Sequence, residues 1–98
     1  MDNNRNQIIA LYDIYRSLLT EKQRLYFEDY YYSDLSISEI AENYNISRNG
    51  VHDQIKRATQ ALYEYEEKLK ISQKLDKIFK LDIDKEILEK ISNIIMED

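Results

Sequence analysis

The apolar residues of this chain recur at spacings of three and four, which is the period of an amphipathic α-helix. One run of this kind covers residues 5–19, and a second covers residues 21–32. Hairpins and sandwiches need turn pairs such as Asn-Gly, and the chain holds a single one, Asn49-Gly50. The pattern therefore predicts an all-α fold, built from helices that each bury one apolar face.

Polar side chains mark the helix boundaries, because the chain has one glycine and no proline to do so. Thr20 with Gln23 and Ser36 with Glu39 each fit a capping box, in which two side chains satisfy the orphan amides of a helix start. We therefore expect the second helix to begin after Thr20 and a short third helix to begin after Ser36.

A short helix, a tight turn and a longer helix follow one another in the middle of the chain. Asn45 tolerates the left-handed conformation and is expected to end the third helix, and Ser47 is expected to cap a fourth over residues 48–69. This arrangement is typical of a helix-turn-helix. The seam between its two helices is expected to consist of Ile37, Ile40, Ala41, Ile46, Val51 and Ile55.

The polar face of the fourth helix is the candidate nucleic-acid-binding surface. If Val51 and Ile55 point inward, steps of about 100° per residue turn the polar positions of the first turns outward. Asparagine can read adenine, lysine can reach guanine or phosphate, and aspartate can accept from cytosine, while a helix N-terminus suits a phosphate. The candidate residues are Ser47, Arg48, Asn49, His52, Asp53, Lys56, Arg57 and Gln60.

Some of these residues have a second interpretation. Arg48 either faces nucleic acid or pairs with an acid such as Glu42, and His52 either contacts a ligand or is simply solvated. Asp53 places an acid in the middle of the face, and Gly50 weakens the first turn by up to about 1 kcal/mol relative to alanine. Both features weigh against base-specific reading.

Charge is distributed unevenly along the chain. Its 14 basic and 19 acidic residues give a net charge of −5, whereas a nucleic-acid binder usually carries a basic stripe or a high pI. Residues 47–62 nevertheless hold three basic residues against one acid, a local balance of +2. The nucleic-acid interpretation therefore stays open beside a second one, in which the same scaffold binds a protein partner.

The same composition argues against catalysis. The chain has no cysteine, one histidine and no phosphate-binding loop, so we expect no enzymatic activity, no catalytic residue, no metal site and no cofactor. No apolar run approaches the roughly 18 residues of a membrane span, and the Asn-rich start lacks the order of a signal peptide. We therefore expect a cytoplasmic protein with no membrane partner.

The second helix carries an aromatic run that admits two interpretations. Tyr26, Phe27, Tyr30 and Tyr31 share one helical face, and rings of this kind can either stack on unpaired bases or fill a core. The single face favours the core, with the hydroxyls reaching water at its edge.

The last third of the chain carries more apolar surface than it can bury alone. We expect a fifth helix within ISQKLDKIFK and a sixth capped by Asp82 or Asp84. The expected organisation is a single domain over residues 1–98, with a helix-turn-helix core over about 19–62. The helices of residues 63–98 are then expected to form the interface of a homodimer.

The stretch LTEKQRLYFEDYYYSDLSISEIAENYNISRNGVHDQIKRATQAL, residues 19–62, resembles the helix-turn-helix of sigma factor region 4. The shared features are the Leu-Thr-Glu opening, the Leu-Ser-x-x-Glu-Ile-Ala centre and the Ile-Ser-x-x-x-Val start of the recognition helix. Over its whole length the chain is similar to the YlxM-like family of small bacterial helix-turn-helix proteins, through the run LTEKQRxYFxxYYxxDLSxxEIAExxxISRxxVxDxIKR.

The resemblance implies a DNA-binding regulatory fold. Genes of the family characteristically neighbour those of the signal recognition particle (SRP) GTPase, which implies a role in that protein-targeting pathway. The partners implied are DNA or the SRP RNA. In the competing interpretation the chain regulates the SRP GTPase or its receptor without binding nucleic acid.

Overall fold

The computed structural model describes residues 4–97, and within that range every regular element is helical. The all-α prediction is therefore confirmed. The helices are α1 Arg5–Tyr15, α2 Glu21–Tyr31, α3 Ile37–Tyr44, α4 Arg48–Leu69, α5 Ile71–Phe79 and α6 Lys85–Met96.

The predicted caps are confirmed. Thr20 Oγ1 accepts from the Gln23 amide at 3.2 Å, while the Gln23 side chain accepts from the Thr20 amide at 2.9 Å. Ser36 and Glu39 repeat this capping box at the start of α3. Asn45 ends α3 in the left-handed conformation with φ of 55°. The helix-turn-helix is thus built by side-chain caps rather than by glycine or proline.

The end of the first helix differs from the expectation that residues 5–19 form one helix. The α-helix ends at Tyr15, and a 3-10 turn over Arg16–Leu18 follows it. This tighter turn changes the direction of the next side chains, so Leu18 is 51% exposed while Leu19 is only 5% exposed. A regular helix over residues 5–19 would place both leucines on its apolar face.

The core surrounds α4, against which α1, α2 and α3 all pack. Its centre contains aromatic rings from α1 and α2: Tyr12 stacks on Phe27 with 4.2 Å between ring centroids, and Phe27 contacts Tyr31 at 4.5 Å. The interpretation of the aromatic run as core is confirmed for Tyr26, Phe27 and Tyr31, which are all buried. Tyr32 lies at the edge, and its hydroxyl donates to Asp13 at 3.0 Å.

Most of the expected seam between α3 and α4 is present. Ile40 and Val51 are fully buried, as is Ile55 one turn further along α4. Ile46 is the exception, since its side chain is 38% exposed. It lies in the turn after the left-handed Asn45, where its amide bonds to the Ala41 carbonyl and its side chain stays at the surface. The prediction that Ile46 packs the seam was therefore wrong.

Residues 70–97, here called the C-terminal hairpin, follow a break at Lys70, which adopts a left-handed φ of 57°. α5 contacts α1, and α6 contacts α5. Of the two candidate N-caps for the last helix, Asp84 is the one that caps α6: its side chain accepts from the Glu86 amide at 2.7 Å. The hairpin gives the molecule a long axis of 50 Å against 25 and 24 Å across. Residues 5–69 are here called the helix-turn-helix unit.

Candidate nucleic-acid interface

The first half of α4 turns its polar side toward solvent. Val51, Ile55 and Ala58 are fully buried on the inner side, whereas all eight sequence-predicted site residues are exposed. With about 100° per residue, the outermost strip consists of Asn49, Asp53, Lys56 and Gln60, flanked by His52 and Arg57. Ser47 and Arg48 lie at the N-terminal end of this strip. These eight residues are called the α4 face below.

The N-terminal end of the α4 face is shaped by the cap of the helix. Ser47 Oγ accepts from the Gly50 amide at 3.0 Å, which leaves the amides of Arg48 and Asn49 to an outside acceptor. A Cβ atom at position 50 would lie only 3.1 Å from Ser47 Oγ. Glycine therefore gives the cap room in the first turn, and the open amides suit an anion such as phosphate.

The acid in the middle of the α4 face is held by a neighbouring cation. Asp53 Oδ2 lies 2.9 Å from Arg57 Nε, one helical turn away. The pair draws the Asp53 carboxylate toward Arg57 and leaves the two Nη groups of that guanidinium for another acceptor. The ion pair considered for Arg48 with Glu42 does not form, and Lys56 has no ion pair with any of residues 4–97.

An open groove of about 480 Å³ borders the α4 face on the side of Arg57. It runs between α4 and the start of α2, where Lys22 and Gln54 join Arg57 along its walls. Sequence reasoning missed both of these residues. Only the packing of α2 against α4 brings Lys22 near, and no spacing in the sequence reports that contact. Gln54 lies between the inner and outer faces of α4, where periodicity assigns no role.

The α4 face has a net positive charge on a chain that is acidic as a whole. Residues 47–62 carry three basic residues and one acid, whereas the other 82 residues carry eleven basic and eighteen acidic ones. A polyanion would therefore be attracted to this surface, although residues 68–80, with five lysines against one acid, form a second positive segment of the chain. Within residues 4–97 no group of three histidine, aspartate or glutamate side chains is arranged to hold a metal ion, and no helix is long and apolar enough to cross a membrane.

Comparison with known proteins gives the chain a family. Residues 2–97 match the model of the UPF0122 family, described as "Putative helix-turn-helix protein, YlxM / p13 like". The UPF0122 protein FN1394 of Fusobacterium nucleatum is 50% identical over 91 residues, which cover 87% of this chain and 88% of the relative.

Two further relatives match a shorter stretch. The UPF0122 protein BH2485 of Halalkalibacterium halodurans is 54% identical over 67 residues, covering 68% of this chain and 62% of the relative. The UPF0122 protein ABC2295 of Shouchella clausii is 52% identical over 66 residues, covering 67% and 61% respectively. The chain thus spans less than two thirds of the length of these two relatives.

Proposed function

Because the chain belongs to the UPF0122 family of YlxM- and p13-like helix-turn-helix proteins, we propose that it binds duplex DNA through the α4 face. The observation that supports this most is the exposure of all eight residues of that face on the first half of α4, opposite a fully buried stripe. A helix presented in this way fits the major groove of B-form DNA, which is about 12 Å wide.

The residues of the α4 face divide into two roles. Asn49 and Lys56 lie on the outer strip, where they reach base edges, since asparagine reads adenine and lysine reaches guanine. Arg57 and Lys22 border the groove beside the strip and would contact phosphates of the adjacent backbone. Asp53 repels the phosphates of DNA and so lowers the affinity of the outer strip, but its ion pair with Arg57 reduces this repulsion.

Duplex DNA is favoured over duplex RNA by groove shape. The major groove of A-form RNA is deep and narrow, so a helix such as α4 cannot lie in it. Arg57 and Lys22 are the two cations assigned to phosphates, which predicts modest affinity and a slope of about −1.8 in a plot of log affinity against log salt. The SRP RNA is therefore the weaker nucleic-acid candidate unless it offers an irregular, widened groove.

The link to the SRP pathway is a finer proposal that rests on the family resemblance alone. A second candidate function, a protein-interaction module for the SRP GTPase or its receptor, is supported by charge. Taken together, the residues outside 47–62 carry eleven basic and eighteen acidic side chains, and a net acidic surface suits a basic protein partner better than a polyanion.

A titration with three ligands tests these candidates. A mixed-sequence DNA duplex, the SRP RNA and the purified SRP GTPase are each titrated at low and at physiological salt, with fluorescence anisotropy as the readout. We expect DNA binding that weakens with salt and is lost when Lys56 and Arg57 are both replaced by glutamate. Binding of the GTPase without binding of either nucleic acid would contradict the proposal and favour the second candidate.

The control variants exchange the same charge elsewhere. Lys74→Glu and Lys77→Glu on α5 together change the net charge as much as Lys56→Glu with Arg57→Glu, but lie outside the α4 face. We expect this control pair to keep most of the DNA affinity and an unchanged salt slope. An equal loss of DNA affinity in the two double variants would show that net charge, rather than the α4 face, determines the binding.

A further inference from the structure

The exposed apolar residues of the molecule are concentrated in the C-terminal hairpin. Among the described residues, twelve large apolar side chains are exposed, and six of them lie within the 28 residues of the hairpin. Those six are Phe79, Leu81, Ile83, Ile87, Ile94 and Ile95. Scattered single residues of this kind are ordinary, but a concentration in one small region marks an interaction surface.

The α6 helix carries the best-ordered part of this surface. Ile87, Ile91 and Ile94 follow one another at spacings of four and three, which is the seam pattern of paired helices. Ile87 is 51% exposed and Ile94 is 65% exposed, whereas Leu88 on the neighbouring side is buried toward the rest of the chain. The helix thus covers one apolar face within the molecule, and on a second stripe, residues 87, 91 and 94, it leaves Ile87 and Ile94 exposed and Ile91 half-buried.

The charges beside this stripe complement a reversed copy of themselves. With about 100° per residue, Lys90 and Glu97 flank the stripe on the same side, Lys90 near the middle of α6 and Glu97 just after its end. Lys90 Nζ lies 3.8 Å from Glu86 Oε1 one turn earlier in α6, an exposed contact that leaves the ammonium open to a second carboxylate. In two antiparallel helices that meet along the stripe, Lys90 of one copy approaches Glu97 of the other, and the two-fold axis produces this contact twice. Opposed helix dipoles also favour the antiparallel arrangement.

The molecule exposes more surface than a compact monomer of its size. The accessible surface is 7001 Å², whereas a compact monomer of 11.8 kDa exposes about 5,900 Å². The excess of roughly 1,100 Å² leaves room for an interface of standard size, in which each partner buries approximately 800 Å². The radius of gyration, 15.6 Å against about 12.6 Å for a compact chain of this length, agrees with a projecting hairpin.

We propose that the α6 stripe pairs with the same stripe of a second copy of this chain, forming a two-fold antiparallel dimer with Ile91 and Ile94 at its centre and Ile87 at the edge of the seam. The Lys90–Glu97 contacts border the apolar seam on the side away from α5. Such a self-complementary interface closes on itself and leaves no free end. The dimer holds two α4 faces at a fixed separation. It forms without nucleic acid, so a test of the dimer is independent of the DNA-binding proposal.

Sedimentation over a range of concentrations, without nucleic acid, tests the dimer. We expect the unaltered chain to sediment as a dimer. Ile94→Lys should raise the dimer dissociation constant by more than about a hundredfold, because the two-fold symmetry places two lysine charges in the apolar seam. Ile94 already contacts solvent, so the variant should keep its helical circular dichroism. Glu89→Lys, at an exposed position on the side of α6 opposite the stripe, is the control and should remain dimeric.

A charge exchange tests the antiparallel arrangement independently of the apolar substitution. Lys90→Glu and Glu97→Lys should each weaken the dimer by up to about fivefold, and the double variant should restore the original dissociation constant. A monomer at every concentration, a larger assembly, or an Ile94→Lys dimer as tight as the original would overturn the proposal. A double variant weaker than both single variants would overturn the antiparallel pairing.

Discussion

The helix-turn-helix unit and the C-terminal hairpin use apolar residues in opposite ways. Among the described residues, fourteen of the sixteen buried apolar side chains belong to the unit, and the hairpin buries only Leu75 and Leu88. Both regions show the same helical period in the sequence. The difference shows that an amphipathic pattern specifies which side of a helix is apolar, but not whether the chain itself supplies the surface that covers it.

A hydrogen-bonded cluster joins the two regions. Glu66 on α4 accepts from the Tyr15 hydroxyl at 2.7 Å and from the Ser72 amide at 3.0 Å, and the Ile71 amide donates to the Tyr15 hydroxyl at 3.1 Å. α5 begins at Ile71, and the side chain of the preceding Lys70 makes no cap, so Glu66 and Tyr15 accept from the first amides of α5 instead. The direction of the hairpin relative to α4 is therefore set by residues of the unit.

The largest expected difference between the regions is in the cost of a cavity. Phe27→Ala removes a fully buried ring that stacks on Tyr12, so we expect it to lower the free energy of unfolding by about 3–5 kcal/mol. Leu88→Ala should cost less than about 2 kcal/mol, because the surroundings of α6 are already partly hydrated. Urea denaturation of both variants measures the two decreases in the free energy of unfolding. Equal decreases would contradict the claim that the unit is more tightly packed than the hairpin.

Breaking the cluster between the regions should have an intermediate effect. Tyr15→Phe deletes a buried hydroxyl that both donates to Glu66 and accepts from Ile71, so we expect a loss of about 1–3 kcal/mol. Faster hydrogen exchange at the start of α5 should accompany it. Tyr44→Phe is the control, since the Tyr44 hydroxyl donates to Asp29 at an exposed position and should cost less than about 1 kcal/mol. An unchanged α5 exchange rate in Tyr15→Phe would contradict this role.

Alkaline pH should weaken the same cluster. Burial, followed by the hydrogen bond to Glu66, raises the pKa of Tyr15 to about 12 from about 10 in the unfolded chain. Since the folded state retains its proton longer, the stabilisation is fully present below pH 10 and is lost as the pH rises from about 10 to 12. The free energy of unfolding measured across this range should fall less steeply in Tyr15→Phe than in the unaltered chain.

The smallest expected effect concerns the acid on the α4 face. Asp53→Asn removes a negative charge that faces the proposed DNA and frees Arg57, at a cost to stability of less than about 0.5 kcal/mol. We expect DNA affinity at low salt to rise about two- to fivefold in anisotropy titrations. Glu89→Gln on the hairpin removes the same charge far from the face and should leave affinity nearly unchanged. A weaker complex with Asp53→Asn would indicate that Asp53 itself reads a base.

Local signals in the sequence predicted most of the fold. The capping boxes at Thr20 and Ser36 and the left-handed stop at Asn45 depend on neighbouring residues only, and all three were predicted correctly. The errors arose where the backbone departs from a regular α-helix. The 3-10 turn after Tyr15 and the turn that exposes Ile46 after Asn45 change the direction of the side chains, which helical periodicity does not report.

The candidate site was predictable to the same extent. The α4 face follows from the phase of its buried stripe, so all eight residues could be named from helical geometry. The pairing of Asp53 with Arg57 follows from a spacing of four but competes with other partners until a structure shows it. Lys22 joins the site through the packing of α2 on α4, and the Tyr15–Glu66 contact spans 51 residues, so neither has a local signal.

A backbone amide chemical-shift titration with a mixed-sequence DNA duplex tests the central claim most directly. If the α4 face binds DNA, the largest shift changes should occur at residues 47–60 and at the start of α2 near Lys22. The outer amides of the C-terminal hairpin should change little. An absence of shift changes at low salt, or changes centred on α5 and α6, would contradict the assignment of this surface.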